Sequence, residues 1–267
     1  MIESEPLQEY ATLVFKVISW NVNSISSRLE RLLGLLKREK PDVICLQELK
    51  CVDEKFPTPA LEALGYHCAV FGQKTYNGVA ILSKVKPKDI RRGFREDSSR
   101  IISADIGGIR IISAYFPNGQ AVGTEKYAYK LDWMKYFGLY LKESFSPTDR
   151  LILAGDLNVA PEDRDVHDPT VWRGRILFSE PEKKALEEIK QFGLIDTLRL
   201  HHHEGGLYSW WDYRELSFPF NKGLRIDFVL VTAPLAKACI AASILRDERK
   251  GTKPSDHAPV MAEFTLG

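Results

Sequence analysis

Oxygen-bearing side chains stand directly beside the short apolar stretches of this 267-residue sequence. Loops held at strand ends by a rigid sheet are the usual place for catalytic and binding residues. The side chains concerned are carboxylates and carboxamides, together with one tyrosine and one histidine. They are Asn21 and Asn23 in SWNVN, Glu48 in CLQELK, Tyr115 in SAYFPNG, Asp156 and Asn158 in AGDLN, Asp227 in GLRIDFVL, and Asp256 and His257 in PSDHAP.

A set of this composition favours a hard divalent cation. Carboxylate and amide oxygens suit Mg²⁺ or Mn²⁺ and suit zinc or copper poorly. Such an ion beside a histidine–carboxylate pair can attack a phosphoester, because it neutralises charge on the phosphate oxygens while a positioned base takes a proton from water. The sequence therefore predicts phosphoester chemistry at a magnesium site.

Each of these residues taken alone also has a structural interpretation. The Asp-Leu-Asn at 156–158 is typical of an Asx-type turn cap, and Glu48 could be a solvated strand end. His257 alone is more often structural than catalytic, and Asp227 could pair with a nearby arginine or lysine. Their occurrence together at the ends of predicted strands favours the functional interpretation.

Alternating strands and helices must position these side chains. Short β-branched runs predict strands at 14–20, 42–47, 66–71, 78–83, 100–105, 109–115, 150–154, 208–211, 225–232 and 259–264. Gly107-Gly108 predicts a hairpin turn. Apolar spacing and cap residues predict helices at 26–40, from Thr58 to about Gly65, at 124–145, and from the capping box Ser179–Glu182 to about Gly193.

This mixed order indicates two sheets packed face to face with helices outside them. The sequence contains no repeat of about 20 to 50 residues and no linker rich in proline, serine or glycine. We therefore expect an N-terminal extension over residues 1–13 and a single domain over residues 14–267.

Composition excludes several classes of protein. Hydrophobic residues are 44% and charged residues 27% of the chain, which excludes extended disorder and fibrous repeats. No apolar run approaches the roughly 18 to 20 residues that span a bilayer. The acidic N-terminus does not resemble a secretory signal, and the four scattered cysteines fit a reducing compartment. We expect no membrane partner and a cytoplasmic location.

The formal net charge of +1 does not identify the partner. A strongly basic nucleic-acid binder would carry a larger positive charge. Handling of a polyanion would therefore need a local basic face and a metal ion rather than an overall field.

Longer stretches, in order from Val17 to Val260, carry a family resemblance. They are ISWNVNS, PDVICLQELK, YNGVAILSK, ISAYFPNG, GDLNVAPEDRDVHDP, YSWWDYR, NKGLRIDFVL and KPSDHAPV. In these stretches the chain resembles the exonuclease III family of apurinic/apyrimidinic endonucleases. The resemblance implies an α/β fold of α+β type, a four-layer sandwich of two mixed β-sheets flanked by helices, as in the deoxyribonuclease I-like endonuclease/exonuclease/phosphatase fold.

The resemblance also implies a Mg²⁺ site, at which Mn²⁺ could substitute. Glu48 would be the principal ligand. The other residues around the ion or ions would be Asn21, Asp156, Asn158, Asp256 and His257. The number of metal ions stays open.

Catalytic roles follow from the same resemblance. Asp156 would activate the attacking water, and Asn158 would orient that water and the phosphate. His257 would donate to a phosphate oxygen, with its ring held in one tautomer by Asp227. Tyr115 would place its hydroxyl on the scissile phosphate or near the leaving oxygen. The identity of the general base stays open, because a raised carboxylate pKa cannot be read from sequence.

Residues that contact DNA in the family also have matches here. The predicted DNA-binding residues are Asn23, Lys50, Gln73, Lys74, Asn77, Asn118 and Arg214, the last in the loop 214–222. Trp210 and Leu224 match the walls of a pocket for an extruded baseless sugar. A tryptophan pair at strand spacing is equally typical of one core-facing and one surface ring.

Two segments depart from the family pattern. In the segment 165–179, Trp172 and Arg173 could favour a 3′-terminal phosphate over an internal baseless site. The loop 215–221, ELSFPFN, is more apolar than a basic loop that inserts into DNA. The contiguous histidines 201–203 lack helical ligand spacing and predict a solvated turn rather than a metal site.

The resemblance thus implies a Mg²⁺-dependent DNA repair nuclease. By default we expect a monomer, nucleoid-associated when bound to DNA. It would cleave double-stranded DNA 5′ to abasic sites and remove 3′-terminal nucleotides, phosphates or blocking groups. One alternative is a phosphoesterase of the same fold that acts on phosphoinositides or other small phosphoesters. Another is a catalytically silent binding module, whose signature would be the loss of Glu48, Asp156 or His257.

Overall fold

The structure, a computed structural model, describes residues 14–95 and 98–266. The predicted N-terminal extension over residues 1–13 lies outside this range. The strands are β1 (Val14–Asn21), β2 (Val43–Gln47), β3 (His67–Phe71), β4 (Val79–Ser83), β5 (Lys88–Arg92), β6 (Ile101–Ile106), β7 (Ile109–Tyr115), β8 (Leu151–Asp156), β9 (Ile195–Asp196), β10 (Asp227–Val231), β11 (Cys239–Ile244) and β12 (Val260–Thr265).

The helices are α1 (Ile25–Glu39), α2 (Thr58–Glu62), α3 (Glu125–Ser144), α4 (Pro169–Trp172), α5 (Glu180–Lys190), α6 (Thr197–His201) and α7 (Ala233–Ala236). Of the helices in the part of the chain that the structure describes, none is both long and apolar enough to cross a bilayer.

The strands form two mixed six-stranded sheets. The first sheet has the order β11-β12-β1-β2-β4-β3, and the second has the order β5-β6-β7-β8-β10-β9. β1 pairs with β2, and β7 with β8, in parallel, whereas the other named pairs are antiparallel. The predicted pair of mixed sheets is confirmed.

Strand β2 is apolar almost throughout because it is buried on both faces. Successive side chains of a strand point to opposite faces of the sheet. Val43 and Cys45 lie in the core between the two sheets, while Ile44 and Leu46 pack in the core beneath α1. A strand buried on both faces needs hydrophobic residues at successive positions, which is the pattern seen here.

Helices cover the outer face of each sheet and complete four layers. The leucines at 32, 35 and 36 of α1 pack against the first sheet. On the second sheet, Trp133 and Phe137 of α3 stack with ring centroids 5.5 Å apart, and Phe116 packs edge-on against both rings. Burial of each such large side chain contributes about 1.5 to 3 kcal/mol.

Local signals account for several boundaries. The side chain of Thr124 accepts the N–H of Tyr127 and caps α3, while the left-handed Lys40 ends α1. Gly107 and Gly108 both have positive φ in the β6–β7 hairpin, as a two-residue turn of this kind requires. The four predicted helices, and the predicted strands apart from the one at 208–211, begin or end within two residues of their predicted limits, whereas α4, α6, α7 and the two-residue β9 were not expected.

The predicted strand at 208–211 is wrong. In this segment only Trp210 makes isolated bridges, to Leu224 and to His257. The chain bonds to two separate segments there instead of running beside one strand. Conversely, β5 and β11 were not expected, because β5 is a charged, exposed edge strand and β11 is an edge strand with small residues.

The strand pairing fixes the positions of the polar ends. Asn21 at the end of β1 pairs with Gln47 at the end of the parallel strand β2. Asp156 at the end of β8 pairs with Tyr115 on one side and with Asp227 on the other. Because β1 packs against β8 and β10, these ends lie along one rim of the sandwich.

Candidate active site

Strand ends and the loops beside them bring the polar residues to this rim. The loop after β2 contributes Glu48, and the segment before β12 contributes Asp256 and His257. Glu48 has a left-handed backbone with φ of 52°. The residue before it, Gln47, is held by its carbonyl, which accepts the N–H of Val22. Two loops are therefore tied together where the site begins.

Two carboxylates and one imidazole converge at the rim. Glu48, Asp156 and His257 each offer a ligand atom, and these atoms lie within 4.8 Å of one another. The Nδ2 of Asn21 donates to Oε1 of Glu48 at 3.0 Å and to Oδ2 of Asp156 at 2.9 Å. The Oδ1 of Asn21 accepts the N–H of Asn23, so its amide faces the cluster as a donor.

A buried carboxylate holds the imidazole of His257. Its Nδ1 is 2.9 Å from Oδ2 of Asp227, and its Nε2 is 3.8 Å from Oδ2 of Asp156. The hydroxyl of Ser209 donates to the same oxygen of Asp227 at 2.7 Å. Burial alone lowers the pKa of His257, but Asp227 and Asp156 outweigh it and raise that pKa to about 10. Without a bound cation, these two carboxylates therefore favour the protonated ring.

Asp156 is the most enclosed carboxylate of the cluster. Burial raises its pKa to about 7, and nearby Asp227 and Glu48 act in the same direction, whereas His257 and the donor of Asn21 oppose them. The N–H of Asn158 donates to Oδ1 of Asp156 at 2.9 Å. This carboxylate could therefore exchange a proton near neutral pH, as a general base requires.

Asp256 lies beside the cluster with both oxygens engaged. Asn23 donates to its Oδ1 at 2.8 Å, and the indole of Trp210 donates to its Oδ2 at 3.0 Å. Burial raises the pKa of Asp256, but the charge of His257 and these two donors lower it below its usual value. Asp256 is therefore ionised, and it is not one of the three residues whose ligand atoms converge.

Tyr115 directs its hydroxyl toward the carboxylates. Burial, followed by the charges of Glu48 and Asp156, raises the pKa of Tyr115 well above its usual value, and a side-chain hydrogen bond to Glu48 adds to this. The guanidinium of Arg100 lies 4.9 Å from the centre of its ring. The hydroxyl thus stays protonated and can act as a donor.

Two asparagines line the rim together. The Nδ2 of Asn118 donates to Oδ1 of Asn158 at 3.1 Å, and the Nδ2 of Asn158 donates to the carbonyl of Phe116 at 3.0 Å. Asn158 is buried and has a left-handed backbone with φ of 51°, whereas Asn118 is exposed. The pair therefore connects the buried carboxylates with the surface.

A lysine lies beside the outer carboxylate. The Nζ of Lys50 is 2.9 Å from Oε2 of Glu48 and 2.5 Å from Oδ1 of Asn23. The ammonium neutralises part of the negative charge at the rim.

A cleft of about 620 Å³ opens beside Tyr115. Of the predicted DNA-binding residues, it is lined by Gln73, Asn77 and Asn118. Lys74 is exposed and follows Gln73 in the sequence, and the exposed Arg214 pairs with Asp212. Neither is among the residues that line the cleft.

The predicted pocket walls are in contact. Trp210 and Leu224 pair by an isolated bridge and pack in one small apolar cluster, to which Trp172 also belongs. Trp211 is fully buried and Trp210 is half-buried, so the pair divides between core and surface. Arg173 is exposed and pairs with Asp163.

The sequence profile described as the Endonuclease/Exonuclease/phosphatase family matches residues 18–257. The chain belongs to this family. The match spans the whole rim, from β1 to His257, so the predicted family and the predicted fold are confirmed.

Individual relatives are similar over almost their full lengths. Exodeoxyribonuclease III of Haemophilus influenzae is 38% identical over 265 residues, with 93% of this chain and 99% of the relative covered. The 3′ phosphatase NExo from Neisseria, solved with a product DNA hairpin, has a TM-score of 0.91 and 39% identity, with 94% and 100% covered. An AP endonuclease from Archaeoglobus fulgidus has a TM-score of 0.91 and 37% identity, with 94% and 100% covered. The chain is thus an enzyme of the family, a nuclease of the exonuclease III type.

The donor set at the rim fits a divalent cation of the kind this family uses. Glu48 and Asp156 are like charges held within 4.8 Å by a shared donor on Asn21. A cation between them would relieve the repulsion that helps to raise the pKa of Asp156. Carboxylate oxygens suit a hard divalent ion, and the Nε2 of His257 would add a ligand atom only where the ring is neutral.

Sequence reasoning missed several supporting residues of this family member. Ser255 donates its hydroxyl to the carbonyl of Asn21 at 2.7 Å and accepts the N–H of His257, while Ser209 holds Asp227. Tyr76 and Tyr129 line the cleft. Ser255 directly precedes Asp256 and His257, so its position in the sequence could have indicated a role in the site. Nothing in the sequence distinguishes Ser209, Tyr76 or Tyr129 from other serines and tyrosines.

The histidines 201–203 lie away from the rim. His201 ends α6 and is exposed, as is His203, while His202 bonds to Glu204 and to the carbonyl of Ala242. The group of possible metal ligands found among the described residues does not include them.

Proposed function

We propose that this protein is a Mg²⁺-dependent nuclease that acts on double-stranded DNA, with Mn²⁺ as an alternative ion. It hydrolyses the phosphodiester 5′ to abasic sites and removes 3′-terminal nucleotides, phosphates or blocking groups. The observation that carries the proposal is the convergence of Glu48, Asp156 and His257 within 4.8 Å. The names of the relatives, an exodeoxyribonuclease, a 3′ phosphatase and an AP endonuclease, support the substrate class.

Glu48 is the proposed principal metal ligand. Its Oε1 and Oε2 reach Asn21 and Lys50, so its position is fixed from both sides. The other residues proposed around the ion are Asn21, Asp156, Asn158, Asp256 and His257. When bound, the ion supplies charge neutralisation at the phosphate oxygens and lowers the pKa of water.

Asp156 is the proposed general base. Its Oδ1 is held by the N–H of Asn158, and in the metal-free protein burial raises its pKa toward the range of a general base. The side chain of Asn158 orients the attacking water and the phosphate. Because the side chains of Asn118 and Asn158 are hydrogen-bonded to each other, the position of each amide toward the substrate depends on the other.

His257 donates from Nε2 to a phosphate oxygen in this proposal. Its Nδ1 is engaged by Asp227, which leaves Nε2 as the free donor toward the reaction centre. A protonated ring also stabilises the negative charge that develops at the phosphate. Asp227 therefore acts through His257.

Tyr115 is proposed to place its hydroxyl on the scissile phosphate or near the leaving oxygen. Its raised pKa keeps the proton on the hydroxyl, so that it can donate at the moment the oxygen becomes negative. Asn118, at the mouth of the cleft, adds a hydrogen bond to the same phosphate.

The cleft beside Tyr115 is the proposed path of the DNA backbone. The residues proposed to contact DNA are Asn23, Lys50, Gln73, Lys74, Asn77, Asn118 and Arg214. Trp210 and Leu224 form the proposed wall of the pocket for a baseless sugar. The indole of Trp210 is held by Asp256, so its ring orientation is set before DNA binds.

We also propose that residues 14–267 act as one domain and as a monomer. The site takes residues from both sheets, since Asn21 belongs to the first and Asp156 to the second. Neither sheet could form it alone.

A gel assay tests the proposed function. Three end-labelled duplexes carry an internal abasic analogue, a 3′-phosphate or a recessed 3′-hydroxyl, and each is incubated with Mg²⁺ or with EDTA. We expect metal-dependent product from the duplexes, and no turnover of inositol phosphates under the same conditions. Turnover in EDTA would contradict the metal dependence, and turnover of inositol phosphates alone would contradict the substrate.

A further inference from the structure

A buried ammonium lies behind the two asparagines of the site. Lys130 is on α3, and its side chain has no solvent exposure. Its Nζ donates to the carbonyl of Asn158 at 2.6 Å, to the carbonyl of Asn118 at 3.2 Å and to the carboxylate of Glu182. All three donors of the ammonium are therefore used.

Glu182 is anchored as firmly as the lysine. It is fully buried, and its Oε1 also accepts the N–H of Leu177 at 3.1 Å. Its Oε2 accepts the N–H of Ser179 at 3.0 Å and the hydroxyl of Ser179 at 2.6 Å. The ion pair thus joins α3 to the N-terminal turn of α5.

Stability alone does not account for this pair. A buried ion pair must overcome the desolvation of both charges, and apolar residues of similar volume often serve stability equally well. What an apolar side chain cannot do is bond to two backbone carbonyls. Here these carbonyls belong to Asn118 and Asn158, whose side chains bond to each other on the opposite side, at the rim.

The two carbonyls sit in segments that need an external restraint. Asn118 lies in an irregular segment after β7, and Asn158 has a left-handed backbone in the turn after β8. One ammonium that bonds to both segments sets the distance between them. It thereby fixes where the two side-chain amides stand relative to Asp156.

We propose that Lys130, held by Glu182, is a positioning residue for the reaction and acts through Asn118 and Asn158. This inference rests on the proposed function, in which these asparagines orient water and phosphate. Loss of the ammonium lets the two segments move apart, so the amides no longer meet the phosphate in the reactive geometry.

Kinetics of a charge-neutral pair variant test the proposal. Lys130→Met with Glu182→Gln removes both charges together, so no unpaired charge stays buried. We expect kcat on the abasic duplex to fall about 10- to 100-fold, the scale of a misplacement of about 1 Å. The KM for DNA should stay within about twofold, because Asn118 is the one proposed DNA contact that the variant displaces and the other proposed contacts are unchanged. Lys135→Met, at an exposed position of the same helix, should match the wild type.

A second pair variant separates the hydrogen bonds from the charge. Lys130→Gln with Glu182→Gln is also neutral, but its amide can still donate to a carbonyl. We expect it to fold as the wild type does, by thermal unfolding, and to recover part of the lost kcat. Equal kcat in the methionine and glutamine versions would overturn the positioning role.

Combination with the asparagines shows the route of the effect. In an Asn118→Ala, Asn158→Ala background, the methionine pair variant should cause no further loss of kcat, because residues that act through one another are not additive. If the asparagine double variant has a reduced kcat while the methionine pair variant has the wild-type kcat, the positioning role alone is wrong. If the asparagine double variant itself has the wild-type kcat, the proposed function on which the positioning role rests is wrong.

A spectroscopic readout is independent of turnover. With ¹⁵N-asparagine labelling, the side-chain NH₂ signals of Asn118 and Asn158 should shift in the methionine pair variant. The signal of Asn221, whose side chain bonds to Gly206 and Trp211 and not to the two asparagines or Lys130, should stay in place. Unchanged signals for Asn118 and Asn158 in the folded variant would overturn the inference.

Discussion

The Nδ1 of His257 lies 2.9 Å from Oδ2 of Asp227, although the two residues are 30 positions apart in the chain. Asp227 is the first residue of β10, and His257 precedes β12 in the other sheet. One hydrogen bond therefore crosses between the sheets and turns Nε2 toward Asp156.

Replacement of Asp227 by Asn should release the proton of His257. The wild-type ring, with a pKa of about 10, should stay protonated from pH 6 to pH 8 in the metal-free protein. Loss of the carboxylate removes the largest contribution that raises this pKa, and burial then lowers it. NMR titration of the ring protons should show deprotonation at lower pH in Asp227→Asn. The same titration curve in both proteins would contradict the ion pair.

Asp156→Asn should slow turnover with little effect on folding. The amide keeps the shape of the side chain but cannot accept a proton, so the loss should be about 10²- to 10⁴-fold in kcat, the range of a general base. Single-turnover cleavage of the abasic duplex measures it. Near wild-type cleavage would remove Asp156 from this role.

Glu48→Gln should weaken metal binding more than any change farther from the cluster. The loss of metal affinity should exceed the roughly 10- to 100-fold loss that follows removal of a residue that only hydrogen-bonds to a metal ligand. Titration with Mn²⁺, followed by the decrease of its free electron paramagnetic resonance signal, gives the affinity without turnover. Glu204→Gln, an exposed change near α6, is the control and should bind as the wild type does. Equal affinity of Glu48→Gln and wild type would exclude Glu48 as the principal ligand.

A buried charge network should govern acid stability. Arg225 bonds to Asp165 and Asp196, and Arg199 also bonds to Asp165. Burial raises the pKa of Asp165, but these guanidinium groups outweigh it and hold that pKa below its ordinary 3.8. A carboxylate with a lowered folded-state pKa stabilises the fold above its unfolded pKa, and this contribution disappears as the pH falls through the folded value.

Asp165→Asn should therefore lower the free energy of unfolding by about 3 to 5 kcal/mol at pH 7, the cost of breaking a buried ion pair. The difference from wild type should shrink below pH 3.8. Urea unfolding at a series of pH values measures both. Asp132→Asn, at an exposed position of α3, should change stability by less than about 0.5 kcal/mol. A deficit that does not depend on pH would refute the electrostatic explanation.

Much of the fold was predictable because its strands are buried on both faces. Short, nearly continuous apolar runs such as DVICLQ are typical of strands buried on both faces. The site was predictable for the same reason, since a polar residue such as Asp156 stands out at the end of a buried strand. The edge strands β5 and β11 were not predictable, because exposed edges lack that contrast.

The supporting groups behind the site were beyond sequence reasoning. Lys130 looks like any lysine on a long helix, and Glu182 looks like a capping-box residue only. Their pairing spans 52 positions and depends on how α3 and α5 pack together. Likewise, Trp210 matched a strand pattern, but its indole is fixed by Asp256, a contact that only the folded chain creates.

Side chains from both sheets are proposed to hold one divalent cation next to the substrate phosphate. Crystals soaked in Mn²⁺ test it directly, because manganese is located by its anomalous scattering. We expect a peak within about 2.5 Å of a carboxylate oxygen of Glu48, beside Asp156. A fully active protein whose crystals bind Mn²⁺ only elsewhere, with the oxygens of Glu48 in contact with protein atoms alone, would contradict it.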